Sequence, residues 1–284
     1  LEVENVPFSS QGSRIVRQFV GQGANMVFLT TDFADISAEV IKASPDVAFL
    51  ECNSFTTEPN KSAYYIKHWD PTYVIGVAAA LMSKSKKLGY VASYPTPAVN
   101  CSINAFHLGA RSIDPTIETQ VIFINSWFDP QAARQAGATL IQNGCDFLFG
   151  IMDEAAYLQV AQEKGVWAAM WNTDLRRYGE DAYVSSMVLD WNAYYVEEVR
   201  ARMAGTWTGG RRVLLPMGQG CDRDAWGAKV PPEVAAQADE VRAKILGGFS
   251  PFIGEIKDTS GNVVVAAGTT MSDDDLYTCG WLAE

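Results

Sequence analysis

Residues 147–174 read FLFGIMDEAAYLQVAQEKGVWAAMWNTD. The apolar run 147–151 ends in Met152-Asp153-Glu154, and a helical pattern follows, closed by Lys164-Gly165. A second apolar run, 166–170, ends in Trp171-Asn172-Thr173-Asp174. Strand, loop, helix and strand in this order form the repeating unit of a parallel α/β sheet. Both acid-bearing loops fall at the carboxyl ends of their strands, the edge at which open α/β sheets bind ligands. Each loop carries an acid, and the second adds an indole and an amide. That set suits a flat, polar, hydrogen-bonding ligand.

The same grammar extends towards the N-terminus. Segment 13–21 places apolar residues at 15, 16, 19 and 20, one helical face, and 25–30 is a short buried strand. A helix over 35–43 stops before Pro45, and 46–50 is the next strand. Segment 62–68 is strand-like. The helix expected over 71–83 is almost wholly apolar or small, which predicts burial, with Asp70 as its cap and Pro71 at its first position. A strand over 88–93, a helix over 99–111 and a strand over 120–125 follow, and Asp129-Pro130 opens a helix over 131–142. This alternation argues parallel sheets with helices on both faces. Gly23-Ala-Asn-Met-Val-Phe-Leu and Gly144-Cys-Asp-Phe-Leu-Phe-Gly echo one another, as two similar lobes would.

Beyond Asp174 the pattern loosens. A strand over 183–189 and a helix over 191–204 precede a short strand over 213–216 and a loop over 218–228. An amphipathic helix over 231–246, a hairpin formed by 252–257 and 263–267, and a terminal turn or short helix capped by Ser272-Asp273-Asp274-Asp275 complete the chain.

Composition narrows the function. The 284 residues carry a net charge of −11, which disfavours a phosphate backbone as partner. No apolar run approaches the ~18 residues of a membrane span. The cysteines at 52, 101, 145, 221 and 279 show no CxxC spacing, so a zinc site is not expected. Cys52 and Cys145 read as buried thiols, while Cys221 and Cys279 are a candidate disulfide in an oxidising compartment. A GxSxG elbow, a P-loop and a GxGxxG turn are all missing. His68 and His107 stand in no nucleophilic constellation, Asp273-Asp274-Asp275 lacks calcium-loop spacing, and Gly209-Gly210-Arg211-Arg212 reads as a solvated basic turn. An enzyme is not expected, nor is a cofactor or a metal.

What recurs instead is an aromatic, an Asp or Asn, or both, after a strand: Asp32-Phe33, Trp127 with Asp129, Asp153, and Trp171-Asn172-Asp174. Helix capping accounts for Asp70 and Asp129. Asp153 fits either a cap or a ligand contact. Trp127 and Trp171 fit either loop packing or the aromatic wall of a pocket.

Segments 65–97 (YIKHWDPTYVIGVAAALMSKSKKLGYVASYPTP), 103–115 (INAFHLGARSIDP) and 124–130 (INSWFDP), followed by the Asp153 loop, resemble the basic membrane protein (BMP, or PnrA-like) family of ABC-transporter substrate-binding lipoproteins. The likeness runs from about Phe8 to Trp281. It implies a type I periplasmic-binding fold: two α/β Rossmann-like lobes with parallel sheets, joined by a hinge, with the ligand in the interlobe cleft. The lobes would be 1–68 plus about 183–250, and 69–182 plus about 251–284. Relatives begin with a further strand and helix, and the first lobe here would lack them at the centre of its sheet.

Matched position by position, the resemblance implies a ligand set. Phe33 would present an aromatic to a base, with Trp69, Trp127 and Trp191 as further aromatic contacts. Asp153 would accept from ring N–H groups. Trp171 and Asn172 stand where relatives often have Tyr and Asp. An Asp there suits ribose hydroxyls, so Asn172 favours a free purine base over a nucleoside. The implied function is an extracytoplasmic solute-binding protein, periplasmic or extracellular, delivering its ligand to the permease of an ABC importer. A lipid anchor upstream of Leu1 would hold it at the membrane. The alternative is the ligand-sensing extracellular domain of a receptor, coupled to a signalling domain, and a nucleoside-cleaving α/β enzyme ranks last.

Overall fold

The computed structural model describes the chain from Leu1 to Glu284, the side chains at positions 34 and 35 excepted. In chain order the elements are α1 (Ser10–Gly21), β1 (Met26–Leu29), α2 (Ala34–Lys42), β2 (Ala48–Cys52), β3 (Lys61–Ile66), α3 (Trp69–Met82) and β4 (Lys87–Ala92). Then come α4 (Pro97–Arg111), β5 (Glu118–Phe123), α5 (Pro130–Gln142), β6 (Phe147–Ile151), α6 (Ala156–Lys164), β7 (Trp167–Met170) and β8 (Tyr183–Leu189). The last are α7 (Asn192–Met203), β9 (Arg212–Leu215), β10 (Cys221–Arg223), α8 (Pro232–Leu246), the short β11 (Ile256–Lys257) and β12 (Val263–Val265), and α9 (Asp273–Tyr277).

Two compact units result: 1–67 with 190–220, and 68–189 with 221–284. These boundaries depart from the sequence-based lobes in the second half of the chain. Residues 183–189 belong to the second unit because β8 pairs in parallel with β7. Residues 221–250 belong there too, because β10 pairs antiparallel with β8 and α8 packs against α3.

The first unit holds a four-stranded sheet in the order β1-β2-β3-β9, every pair parallel. Where the resemblance placed an absent strand, β1 pairs directly with β2, Met26 opposite Ala48 and Leu29 opposite Glu51. Val16, Val27, Leu29, Phe33 and Ile41 pack one apolar cluster, and Leu50, Cys52, Tyr64 and Tyr194 a second. An ion pair is buried between strands: Lys61 Nζ lies 2.5 Å from Glu51 Oε2 and also donates to Ser54 Oγ and Thr56 Oγ1. Arg211 does not lie in a solvated turn as expected. It pairs with the buried carboxylate of Glu198 at 2.6 Å, and Arg212 begins β9.

The second unit holds six strands in the order β10-β8-β7-β6-β4-β5. β6 is fully buried between β4 and β7, which is why its sequence runs apolar without alternation. The hydroxyl of Tyr157 on α6 donates to the carbonyls of Gly150 and Ala169, tying that helix to both neighbouring strands. α6 closes on Gly165 at φ 68°, the left-handed conformation glycine adopts cheaply. α3 and α4 approach closely: a Cβ built on Gly76 would lie 2.2 Å from the carbonyl oxygen of Phe106, and one on Gly109 equally near that of Tyr73. Asp70 is not the cap of α3, which starts two residues earlier than expected, at Trp69, with His68 in the cap position. Asp129 does cap α5, accepting from the Ala132 N–H at 2.9 Å, and Ser272 caps α9. All five cysteines are free thiols and buried, so the Cys221–Cys279 disulfide does not form.

Candidate functional site

In the second unit, the loops after β4, β5, β6 and β7 meet at the carboxyl edge of the sheet. The backbones after β4, β5 and β6 are stitched together: Ile124 N–H donates to Ala92 O, Asn125 N–H to Ser93 O, and Asp153 N–H to Trp127 O at 2.9 Å. Asn125 (φ 54°) and Asn172 (φ 70°) both adopt the left-handed conformation that asparagine tolerates better than most residues. These turns present Trp127 and Asn172 over the strand ends.

The side chains then pair. The Trp127 and Tyr94 rings lie 5.8 Å apart, tilted by 51°, and both stay partly open to solvent. Asn172 Nδ2 donates to Asp153 Oδ1 at 3.3 Å. Asp153 is exposed, and it does not cap α6: the Glu154 carboxylate accepts from the Ala156 N–H instead. Of the two roles read from sequence for Asp153, the local one is therefore taken by its neighbour. The protein mass around the Asp153 carboxyl raises its pKa above the ordinary value, and the Asn172 amide partly offsets this. Glu154, buried and close to Asp129 and Asp153, is also pushed up, first by its loss of solvent. The result is a carboxylate–amide pair in the same loop cluster as an aromatic pair. It can accept from and donate to the rim of a flat polar ring while the indole covers a face.

Not every expected residue joins this group. Trp69 and Trp171 are buried, 2% and 5% exposed, and both pack edge-on against His68, with ring centroids 5.3 and 5.5 Å away. Phe33 belongs to the first unit, where it sits within the apolar cluster beside Phe8 and Gly12, and its N–H donates to Glu51 Oε1. Trp191, also in the first unit, is half-buried on Tyr64 and Tyr195. Tyr94 was not singled out from sequence, although it obeys the same rule as Trp127, an aromatic in the loop after a strand.

The first unit has a cavity of about 930 Å³ lined by residues 1–6, α1 and β1, with Phe33 on its wall. Its lining is mostly apolar, with Glu2, Glu4, Asn5 and Gln22 among its polar residues. The second-unit cluster is taken as the candidate because a carboxylate–amide hydrogen bond and an aromatic pair are both formed there. Among the described residues, no group of three or more His, Cys, Asp or Glu side chains is placed to hold a metal. No helix among them is long and apolar enough to cross a membrane.

Residues 4–221 match the family described as ABC transporter substrate-binding protein, PnrA-like. A purine-binding protein of Brucella abortus is 33% identical over 276 residues, covering 96% of this chain and 79% of that protein. A putative ABC transporter glucose-binding protein of Haloferax volcanii is 32% identical over 84% of this chain, and this chain spans only 61% of it. Among solved structures, an ABC-transporter solute-binding protein of Conexibacter woesei superposes with a TM-score of 0.69 at 20% identity, over 85% of this chain and 83% of that one, which establishes the fold. The family and these relatives bind substrates rather than convert them, and this chain belongs to the PnrA-like family of ABC transporter substrate-binding proteins.

Proposed function

We propose that this protein captures a purine, a free base in preference to a nucleoside, outside the cytoplasmic membrane for delivery to an ABC importer. The observation that carries the proposal is the Asp153–Asn172 pair in one loop cluster with Trp127 and Tyr94. A purine offers two π faces and a rim of donors and acceptors. Stacking on an indole contributes about 0.5–1.5 kcal/mol beyond burial. A ring N–H donating to Asp153 adds about 1.5–3 kcal/mol, as hydrogen bonds to charged groups do. Asn172 supplies an amide where a second carboxylate would suit the paired hydroxyls of a ribose. The purine-binding Brucella relative supports the same ligand class. Phe33, Trp69, Trp171 and Trp191 belong to the proposal as further candidates, to be tested singly. In a receptor's sensing domain the same capture would report a purine rather than deliver it.

Thermal-shift and calorimetric titrations with adenine, guanine, hypoxanthine, adenosine and glucose test the reading. A free base is expected to bind more tightly than adenosine. No response to any purine overturns it. A second reading, a sugar, draws on the same aromatic-plus-carboxylate cluster and on the glucose-binding name of the Haloferax relative. A response to glucose alone would favour that reading.

A further inference from the structure

Arg176 lies in the loop after β7, shortly beyond Asn172, and its contacts reach out of that loop. Its Nε donates to both Asp174 oxygens, at 2.9 and 2.8 Å, and its backbone N–H donates to Asp174 Oδ1. Its Nη2 crosses to Asp224 Oδ2 at 2.5 Å and to the carbonyl of Ala225. Its guanidinium also covers the Tyr183 ring at 5.0 Å. Asp224 is itself fixed. Its N–H donates to Ser186 O, its carbonyl accepts from Ser185 Oγ, and its Oδ2 accepts from the hydroxyl of fully buried Tyr183 at 2.8 Å.

One end of this network is therefore anchored in β8. The other end is a tight turn, in which Thr173 N–H donates to Trp171 O and Asn172 holds a left-handed φ of 70°. A non-glycine residue keeps such a conformation where its surroundings over-determine it. A planar fork that bridges two carboxylates supplies that constraint, and a lysine does not reproduce it.

We propose that Arg176 is a positioning residue of the ligand site: it clamps the turn after β7 to Asp224 and so holds Asn172 against Asp153. The ligand readout of this proposal rests on the purine reading, while the clamp itself does not. Adenine titration calorimetry on the wild type, Arg176→Lys, Asn172→Ala and the double variant tests it. Arg176→Lys keeps the charge and loses the fork, so it is the variant chosen to retain the fold. It is expected to weaken adenine binding about tenfold, the size of coupling usual for residues in one network. The double variant is expected to bind no more than about twofold more weakly than Asn172→Ala alone, because Arg176 acts through Asn172. Unchanged affinity in Arg176→Lys, or two losses that multiply, overturns the proposal.

Hydrogen exchange without ligand reads the clamp independently. Amides of residues 172–176 are expected to exchange faster in Arg176→Lys while those of 147–151 stay unchanged. If the wild type binds no purine, the functional reading fails and this comparison alone decides the clamp. Equal exchange at 172–176 overturns it.

Discussion

At the scale of single residues, the carboxylate and the indole should separate cleanly in a binding assay. Asp153→Ala is expected to weaken purine binding about 10- to 100-fold, the worth of a charge-assisted bond. Trp127→Ala should cost about 3- to 10-fold. Neither should move the unfolding midpoint of the free protein much, because both side chains sit at the exposed edge. His68 should behave in the opposite way. Burial between Trp69 and Trp171 pushes its pKa down to about 3, so the folded chain keeps it neutral. The unfolded chain takes up a proton below about pH 6.5, which lowers stability by up to about 1.4 kcal/mol per pH unit on acidification from there towards pH 3. The raised carboxyls of Asp153 and Glu154 act with the contrary sign, since their folded forms hold protons more tightly than the unfolded chain does. His68→Phe should therefore flatten the stability loss between about pH 7 and about pH 5 in urea denaturation. An equal loss in both proteins would remove His68 from this account. For Asp153 the sequence left a helix cap and a ligand contact open, and the structure bears only on the cap, which Asp153 does not form. Trp69 and Trp171 were harder to place. An indole after a strand reads alike whether it faces a ligand or a buried histidine, and only the packing tells them apart.

Among the elements, α3 shows what periodicity conveys and what it omits. Its nearly unbroken apolar sequence announced burial on all sides, and the helix is buried along almost its whole length. The sequence did not say which helix would cover it, nor that Gly76 and Gly109 would each meet the other helix's backbone. Gly76→Ala should destabilise the protein by about 1–3 kcal/mol through overpacking against Phe106, seen as a lower urea midpoint. In the first unit, Lys61→Met leaves the Glu51 carboxylate buried without its cation, an expected loss of about 3–5 kcal/mol. An unchanged urea midpoint in either variant would contradict the packing described. β10 escaped sequence reading because three residues, Cys221–Arg223, carry no alternation to recognise. It nevertheless closes the second sheet against β8, and missing it displaced the expected lobe boundary.

For the molecule as a whole, ligand binding and stability are linked. A purine at about 100 times its Kd should add about 2.7 kcal/mol to the free energy of unfolding, and the Asp153→Ala variant, bound about 10- to 100-fold more weakly, should keep only about 1.4 to 0.4 kcal/mol of that gain at the same concentration. The α/β class was readable from the strand–helix alternation and the two lobes from the family resemblance, while the unit boundaries rested on pairings between segments far apart in sequence. The distribution of thiols follows from that partition. Burial raises the pKa of Cys52 to about 12 and that of Cys145 to about 11, and it holds Cys101 and Cys221 well above their ordinary value. A thiol reacts as its thiolate, so each of these groups is silent until the chain around it opens. Cys52 lies in the first unit and the other four in the second. Alkylation followed by peptide mass mapping thus provides two independent clocks, one for the transient opening of each unit, with no engineered label.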